Sequence, residues 1–186
     1  MTGKLERERS QLLLIDFQER LVPAIDGHAG IVETSERLIR YARRLGVPIT
    51  ISEQYPKGLG PTVASLKAAA GNAATTLDKV EFSCMANAGL AACLAANRHA
   101  GRTQIVVAGV EAHVCVLQSA LDFVSAGYEV FLAADAVGSR AATSRSLALD
   151  RLRSAGASIV DNEMIAFEWL ERAGTPEFKE LQALLK

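Results

Sequence analysis

Between Gln104 and Phe123 the chain reads QIVVAGVEAHVCVLQSALDF, and inside that stretch the hydrophobic period changes. Ile105 to Ala108 is a continuous apolar run, too short for a buried helix and too apolar for a strand with one wet face. Beyond it Val116, Ala120, Phe123 and Leu117, Leu121, Val124 recur at helical spacing. A buried strand therefore gives way to a helix through a tight turn that begins at Gly109-Val110, with the helix starting close to Cys115. Strands this apolar are covered on both faces, which in practice means a parallel sheet between helices.

The rest of the chain repeats that alternation. Gln11 to Ile15 reads as a strand that stops at Asp16, and Val32, Leu38, Ile39, Ala42 and Leu45 mark a helix up to Gly46. Val47 to Ser52 is a second strand that delivers the chain into EQYPKGLGP, a turn-rich loop. Helical spacing returns at Val63, Leu66 and Ala69. Ala73 to Lys79 is a weaker strand, followed by EFSCMAN and an alanine-rich helix over about residues 88–100. After the central stretch, Tyr128 to Ala134 is a strand ending at Asp135, AVGSR is a loop, and Thr143 or Ser144 can cap a helix running to about Ser154. Ser158 to Val160 is a last short strand, Asp161 or Asn162 can cap the next helix, and Thr175-Pro176 opens a final one. The expected fold is α/β: a three-layer αβα sandwich of Rossmann-type topology with a mostly parallel sheet of about six strands, in one domain over residues 1–186.

A formal net charge of −1 provides no broad basic field for nucleic acid or an anionic membrane, so function must come from a local site. The N-terminal MTGKLERERS is charged, and no later apolar run is long enough to span a bilayer. Cys84, Cys93 and Cys115 are an odd number and lack metal-ligand spacing, which fits a reducing compartment. The expectation is a soluble, cytoplasmic protein with a small-molecule substrate and no cofactor. KGLG is not a phosphate loop, and GVEAHV lacks the glycines of a dinucleotide site.

In open parallel sheets ligands bind beyond the carboxyl ends of the strands. Three chemically capable features fall there: Asp16 after the first strand, Lys79 after the third, and the turn from Val110 to Cys115 after the fourth. A thiol in the first turn of a helix meets unpaired N–H groups and the positive end of the macrodipole, which favour the reactive thiolate. Asp16 is then the natural proton acceptor, Lys79 can stabilise thiolate and carboxylate by charge, and N–H groups of the turn can face a carbonyl oxygen. Singly, each residue also suits an ordinary role: Cys115 in the core, Asp16 as a cap, Lys79 solvated.

These residues lie in motifs, LLLIDFQ, DKVEFS, GVEAHVCVLQSALD and YEVFLAADAVGSR, whose order and spacing resemble the isochorismatase-like cysteine hydrolase superfamily over most of the chain. SEQYPKGLGPTV looks like the branch of small isochorismatase-domain proteins of unassigned substrate. The resemblance implies a triad of Asp16, Lys79 and Cys115, a cis peptide preceding Glu111, an oxyanion hole from the N–H groups of Glu111 and Cys115, and a homo-oligomer. Phe17, Gln18, Tyr55, Phe82, Cys84, Val110 and His113 are the candidates for the pocket, with Gln18 near Asp16 and His113 at an edge. Nicotinamidases of the superfamily carry a metal site of aspartate and histidines after the second strand. Here that region reads SEQYPKG, so no metal is expected. The implied activity is hydrolysis of a small amide or related carbonyl compound through a Cys115 thioester. Vinyl ether hydrolysis, as in members acting on isochorismate, and a catalytically idle oligomeric scaffold are the rivals. Asp135, Ser139 and Arg140 are available to a substrate or neighbouring subunit, or to a cap and salt bridge. Phe167, Trp169 and Leu170 could form an interface or cover the sheet.

Overall fold

The computed structural model describes residues 3–185. Six strands, β1 (Ser10–Ile15), β2 (Ile49–Gln54), β3 (Ala74–Lys79), β4 (Gln104–Val110), β5 (Glu129–Gly138) and β6 (Ser158–Val160), form one sheet in the order β3-β2-β1-β4-β5-β6. Every pairing is parallel. Among the described residues eight α-helices accompany it: α1 (His28–Leu45), α2 (Pro56–Leu59), α3 (Ala64–Ala70), α4 (Ala88–His99), α5 (Leu117–Ser125), α6 (Ala142–Ser154), α7 (Asn162–Leu170) and α8 (Pro176–Leu181).

The continuous apolar strands are continuous because alternate residues serve two cores. Leu12, Leu14, Ile49, Ile51, Val106, Ala108 and Phe131 pack with Leu38, Ile39 and Tyr41 of α1, Leu66 of α3, and Ile165 and Trp169 of α7. Leu13, Ile15, Ile105, Val107, Val130 and Leu132 face Leu90 and Leu94 of α4, Phe123 of α5, and Leu149 and Leu152 of α6. The three-layer αβα sandwich is thus present as the alternation required. Trp169 is fully buried and donates its indole N–H to Ser10 Oγ at 2.9 Å. Of the apolar trio near the C-terminus, Trp169 and Leu170 cover the sheet and only Phe167 stays exposed.

Helix ends follow local chemistry. Asp161 caps α7 by accepting from Met164 N at 2.8 Å, and Thr175 caps α8 through Phe178 N at 3.0 Å, with Pro176 in the first helical turn. Neither Thr143 nor Ser144 caps α6. They lie inside the helix, which follows the extended Ala141 without a side-chain cap. Two strands run further than their apolar stretches. β4 continues through Gly109 because a residue without a Cβ can pass against β1: a Cβ on Gly109, at φ +149°, would lie 2.5 Å from Ile15 O. β5 continues through Asp135 to Gly138 by bulging. Val107 pairs with Leu132 but Gly109 with Val137, and within that bulge Asp135 accepts from Asn162 N at 3.0 Å. The EQYPKGLGP segment contains the short α2 and is not wholly loop.

Candidate active site

The strand order reverses between β1 and β4, since the chain continues from β1 toward β2 and β3 and from β4 toward β5 and β6. Such a reversal opens a crevice beyond the carboxyl ends of the two strands. Asp16 and Cys115 occupy the segments that leave those ends.

Asp16 follows β1 in a left-handed conformation, φ +58°, which aspartate tolerates better than most residues. Its N–H donates to Ser52 O at 3.1 Å, and the side chain is fully buried. Oδ1 accepts from Ser52 Oγ at 2.6 Å and Oδ2 from Lys79 Nζ at 2.8 Å. Lys79 is the last residue of β3 and pairs in register with Gln54, the last of β2. Its Nζ also donates to Gln54 Oε1 at 2.6 Å. Cys115 lies in a π-helical turn, Ala112–Val116, that leads into α5, and its Sγ stands 4.0 Å from the same Gln54 oxygen. Asp16 and Lys79 both act electrostatically on the Cys115 thiol. The three candidate residues therefore converge, at 0%, 2% and 5% exposure for Asp16, Lys79 and Cys115.

Burial is the main cause of a raised Asp16 pKa, opposed by Lys79 and Ser52. For Lys79 burial works the other way, but Asp16 and Cys115 outweigh it and hold the ammonium on. Both directions describe one arrangement: a cationic Lys79 beside a carboxylate that burial has made a stronger base. The helix-terminus expectation for Cys115 is corrected. Burial first and the charge of Asp16 second push its thiol well up, and Lys79 only partly opposes them. A helix end contributes about 0.3–1 kcal/mol at ordinary sites, less than burying an anion beside another anion costs. Burial and the charge of Asp16 both favour the neutral thiol over the thiolate.

The remaining candidates separate. The peptide between Val110 and Glu111 is cis. Val114 N and Val116 N both donate to Glu111 O, at 3.0 and 3.3 Å, which closes the turn. The Glu111 carboxylate is taken by Arg140, through its backbone N at 2.9 Å and its guanidinium at 2.6 Å, which holds its pKa below the usual carboxylate range. His113 Nδ1 meets Ser139 Oγ at 3.0 Å. Arg140, Ser139 and Asp135 thus have structural partners. Gln18 does not bond the Asp16 carboxyl: its Oε1 accepts from Gln54 N at 2.7 Å, and its Nε2 donates to Gln54 O at 2.9 Å and Gly60 O at 2.7 Å. Phe17 and Val110 are buried in the core cluster under α1. Cys84 is fully buried with its N–H on Ser119 Oγ at 2.9 Å, and burial pushes its thiol up. Tyr55 and Phe82 remain open at the strand ends, 54% and 53% exposed.

Sequence reasoning did not single out Ser52 or Gln54. Their signal is a polar pair two residues apart, hence on one face of the strand, ending a run that begins as ITI. Among the described residues no group of three or more His, Cys, Asp or Glu is placed to hold a metal ion, and no helix is long and apolar enough to cross a membrane.

Comparison with known proteins agrees with this fold. A protein of zebrafish, Danio rerio, described as isochorismatase domain-containing protein 1, is 39% identical over 99% of this chain, which spans 63% of that protein's length. A solved structure described as MAR1 ribonuclease from Caenorhabditis elegans is 35% identical and superposes with a TM-score of 0.91 over 98% of this chain and 92% of that one. The YcaC gene product of Escherichia coli, described as an octameric hydrolase of unknown specificity, shares the fold at 23% identity with a TM-score of 0.86 over 97% of this chain and 95% of that one. The sequence profile of the isochorismatase domain matches residues 10–164, a span that contains the Asp16, Lys79 and Cys115 cluster and all six strands, and the chain accordingly belongs to the isochorismatase domain family.

Proposed function

We propose that the protein hydrolyses a small amide or related carbonyl compound through a thioester on Cys115. The observation that carries this is the meeting of Asp16, Lys79 and Cys115 at the sheet's switch point: Lys79 Nζ donates to Asp16 Oδ2 at 2.8 Å and to Gln54 Oε1 at 2.6 Å, and that Gln54 oxygen lies 4.0 Å from Cys115 Sγ. Because Cys115 rests protonated, attack and deprotonation go together. The Cys115 proton passes to Asp16 as Sγ bonds to the carbonyl carbon, and the carbonyl π pair moves to oxygen. The N–H groups of Glu111 and Cys115 receive that oxyanion. Asp16 next hands its proton to the leaving nitrogen, the C–N bond breaks and an amine departs. A water then attacks the thioester carbon and gives a proton to Asp16, the C–S bond breaks, and the proton returns to sulfur. Lys79 stays cationic throughout and keeps Asp16 ionised between transfers.

A homo-oligomer belongs to the same proposal. Tyr55, Val80 and Phe82 leave 54%, 67% and 53% of their surface open beyond β2 and β3, and the octameric E. coli relative supports self-association, which light scattering measures directly. The nematode relative is named a ribonuclease, and that activity is not carried over. A net charge of −1 and a thiol at 5% exposure suit a small neutral substrate better than a polyanion.

The test is a panel of small amides, carbamoyl compounds and isochorismate offered to wild type, Cys115→Ala and Asp16→Asn. Turnover should appear with a carbonyl compound and fall by about three orders of magnitude or more in both variants. Turnover that survives in Cys115→Ala but not in Asp16→Asn would overturn the thioester in favour of ether hydrolysis by proton transfer. Wild-type inactivity across the panel, with Cys115 inert, would favour the scaffold.

A further inference from the structure

Gln54 has no role in the cycle just described, yet it is the most constrained side chain beside the thiol. Its backbone is clamped on both sides by the Gln18 amide, at 2.7 and 2.9 Å. Its own Nε2 donates to Val80 O at 2.8 Å, which fixes the amide so that the oxygen faces inward. That oxygen accepts from Lys79 Nζ at 2.6 Å and lies 4.0 Å from Cys115 Sγ.

Lys79 has three N–H donors. One goes to Asp16 Oδ2 and one to Gln54 Oε1, and its charge also acts on the thiols of Cys115 and Cys84. A carbonyl oxygen can accept a hydrogen bond from S–H, but it repels a thiolate. We propose that Gln54 is a positioning residue for Cys115: its amide oxygen holds the S–H proton and one Lys79 proton in the resting site, so that the thiol stays protonated until a substrate takes its place. This rests on Cys115 being the nucleophile of the proposed hydrolase. Gln54 thereby keeps a buried thiol unreactive toward stray electrophiles, and losing the oxygen makes Cys115 more reactive, not less.

The test needs no substrate. Alkylation of the intact protein by iodoacetamide is followed from pH 6 to 10 by peptide mass spectrometry, with Cys93, which contacts Thr50 away from the triad, as the internal reference. Alkylation tracks the thiolate, and a tenfold gain in thiolate appears as about a threefold gain in rate because nucleophilicity falls with pKa. Gln54→Met removes the oxygen at similar length and should label Cys115 roughly threefold faster throughout the rising limb of the pH profile. Gln54→Glu places a full negative charge at the same point and should label roughly threefold slower over the same limb. Gln54→Asn withdraws the oxygen by one methylene and should shift in the direction of Gln54→Met, which supplies a polar variant if the apolar one is poorly folded. Mere loosening of the site would accelerate every variant. The proposal is overturned if Gln54→Glu and Gln54→Met move in the same direction, or if neither moves. The hydrolase reading fails separately, by retained turnover in Cys115→Ala, which leaves the ordering of alkylation rates untouched.

Discussion

Replacing Lys79 by methionine removes one half of an ion pair whose two side chains are both fully inaccessible, while keeping the aliphatic length that fills the site. In the wild type Asp16 Oδ2 receives the ammonium at 2.8 Å, and Oδ1 receives the Ser52 hydroxyl at 2.6 Å. Without Lys79 the carboxylate keeps only neutral donors inside a nearly dry site, and breaking a buried pair in this way costs about 3–5 kcal/mol. For a domain of this size that corresponds to a melting temperature roughly 6–20 °C lower. Burial already raises the Asp16 pKa, and loss of the cation raises it further. A carboxyl whose folded-state pKa is raised contributes stability that is fully present below its unfolded value and is lost as pH rises through the folded value. The defect of Lys79→Met should therefore be small near pH 4. It should grow by up to about 1.4 kcal/mol per pH unit once pH exceeds the raised wild-type Asp16 value, then level off once Asp16 ionises in the variant. Urea titrations at intervals from pH 4 to 9 measure this directly, and Asp16→Asn combined with Lys79→Met should recover much of the loss at pH 8. A penalty that is independent of pH, or a double variant no more stable than Lys79→Met, would refute the buried-pair account.

Two further perturbations probe the surrounding frame. Gly109→Ala would bring a Cβ within 2.5 Å of Ile15 O and 2.6 Å of Ile15 Cβ at φ +149°, and adding about 1–3 kcal/mol for overpacking to about 1–3 for the backbone gives a loss of roughly 2–6 kcal/mol. Gly30→Ala, in open space within α1, is the control and should be neutral or stabilising in the same urea assay. Arg140→Ala frees a Glu111 carboxylate whose pKa Arg140 holds down, and a depressed carboxyl gives stability that is present above its unfolded value and lost as pH falls through the folded one. Wild type should lose stability more steeply than Arg140→Ala between about pH 5 and pH 3, and melting curves that stay parallel over that interval would show that the pair is energetically idle.

The fold was legible because a doubly covered parallel strand is apolar at every position, and Ile105 to Ala108 is such a strand. The boundaries that escaped depend on the neighbour. Nothing local says that β4 passes through Gly109, since the reason is Ile15 on another strand. Nothing local says that β5 survives Asp135 either, since the bulge is held by Asn162. The site divides the same way. Asp16 stands where an apolar run stops, Lys79 where a weaker strand ends, and Cys115 in the turn that follows the most apolar strand, which makes them conspicuous. Ser52 and Gln54 come at the end of a strand that reads on into a turn-rich loop, and their partners lie across the sheet: Ser52 opposite Ile15, Gln54 opposite Lys79. Register, which one chain segment cannot disclose about another, is what turns these two polar residues into members of the site.

The sign of the Cys115 shift is where local inference was reversed, and the reversal bears on mechanism. A thiol in a first helical turn is an activated thiol only if it remains near water or cations, and Cys115 does neither fully: it is 5% exposed, and the charge of Asp16 weighs more on it than that of Lys79. The same burial that suppresses the thiolate raises the basicity of Asp16, so both groups hold a proton more tightly than they would in water. A stronger base at Asp16 is what attack by a neutral thiol requires, and its conjugate acid is then at hand when the leaving group is expelled. A preformed thiolate beside an unprotonated carboxylate would attack readily but would have no proton to give the leaving nitrogen. In the proposed cycle a neutral Cys115 and an ionised Asp16 begin with that proton already in the site, and Lys79, donating to Asp16 and Gln54 together, holds the two acceptors in place.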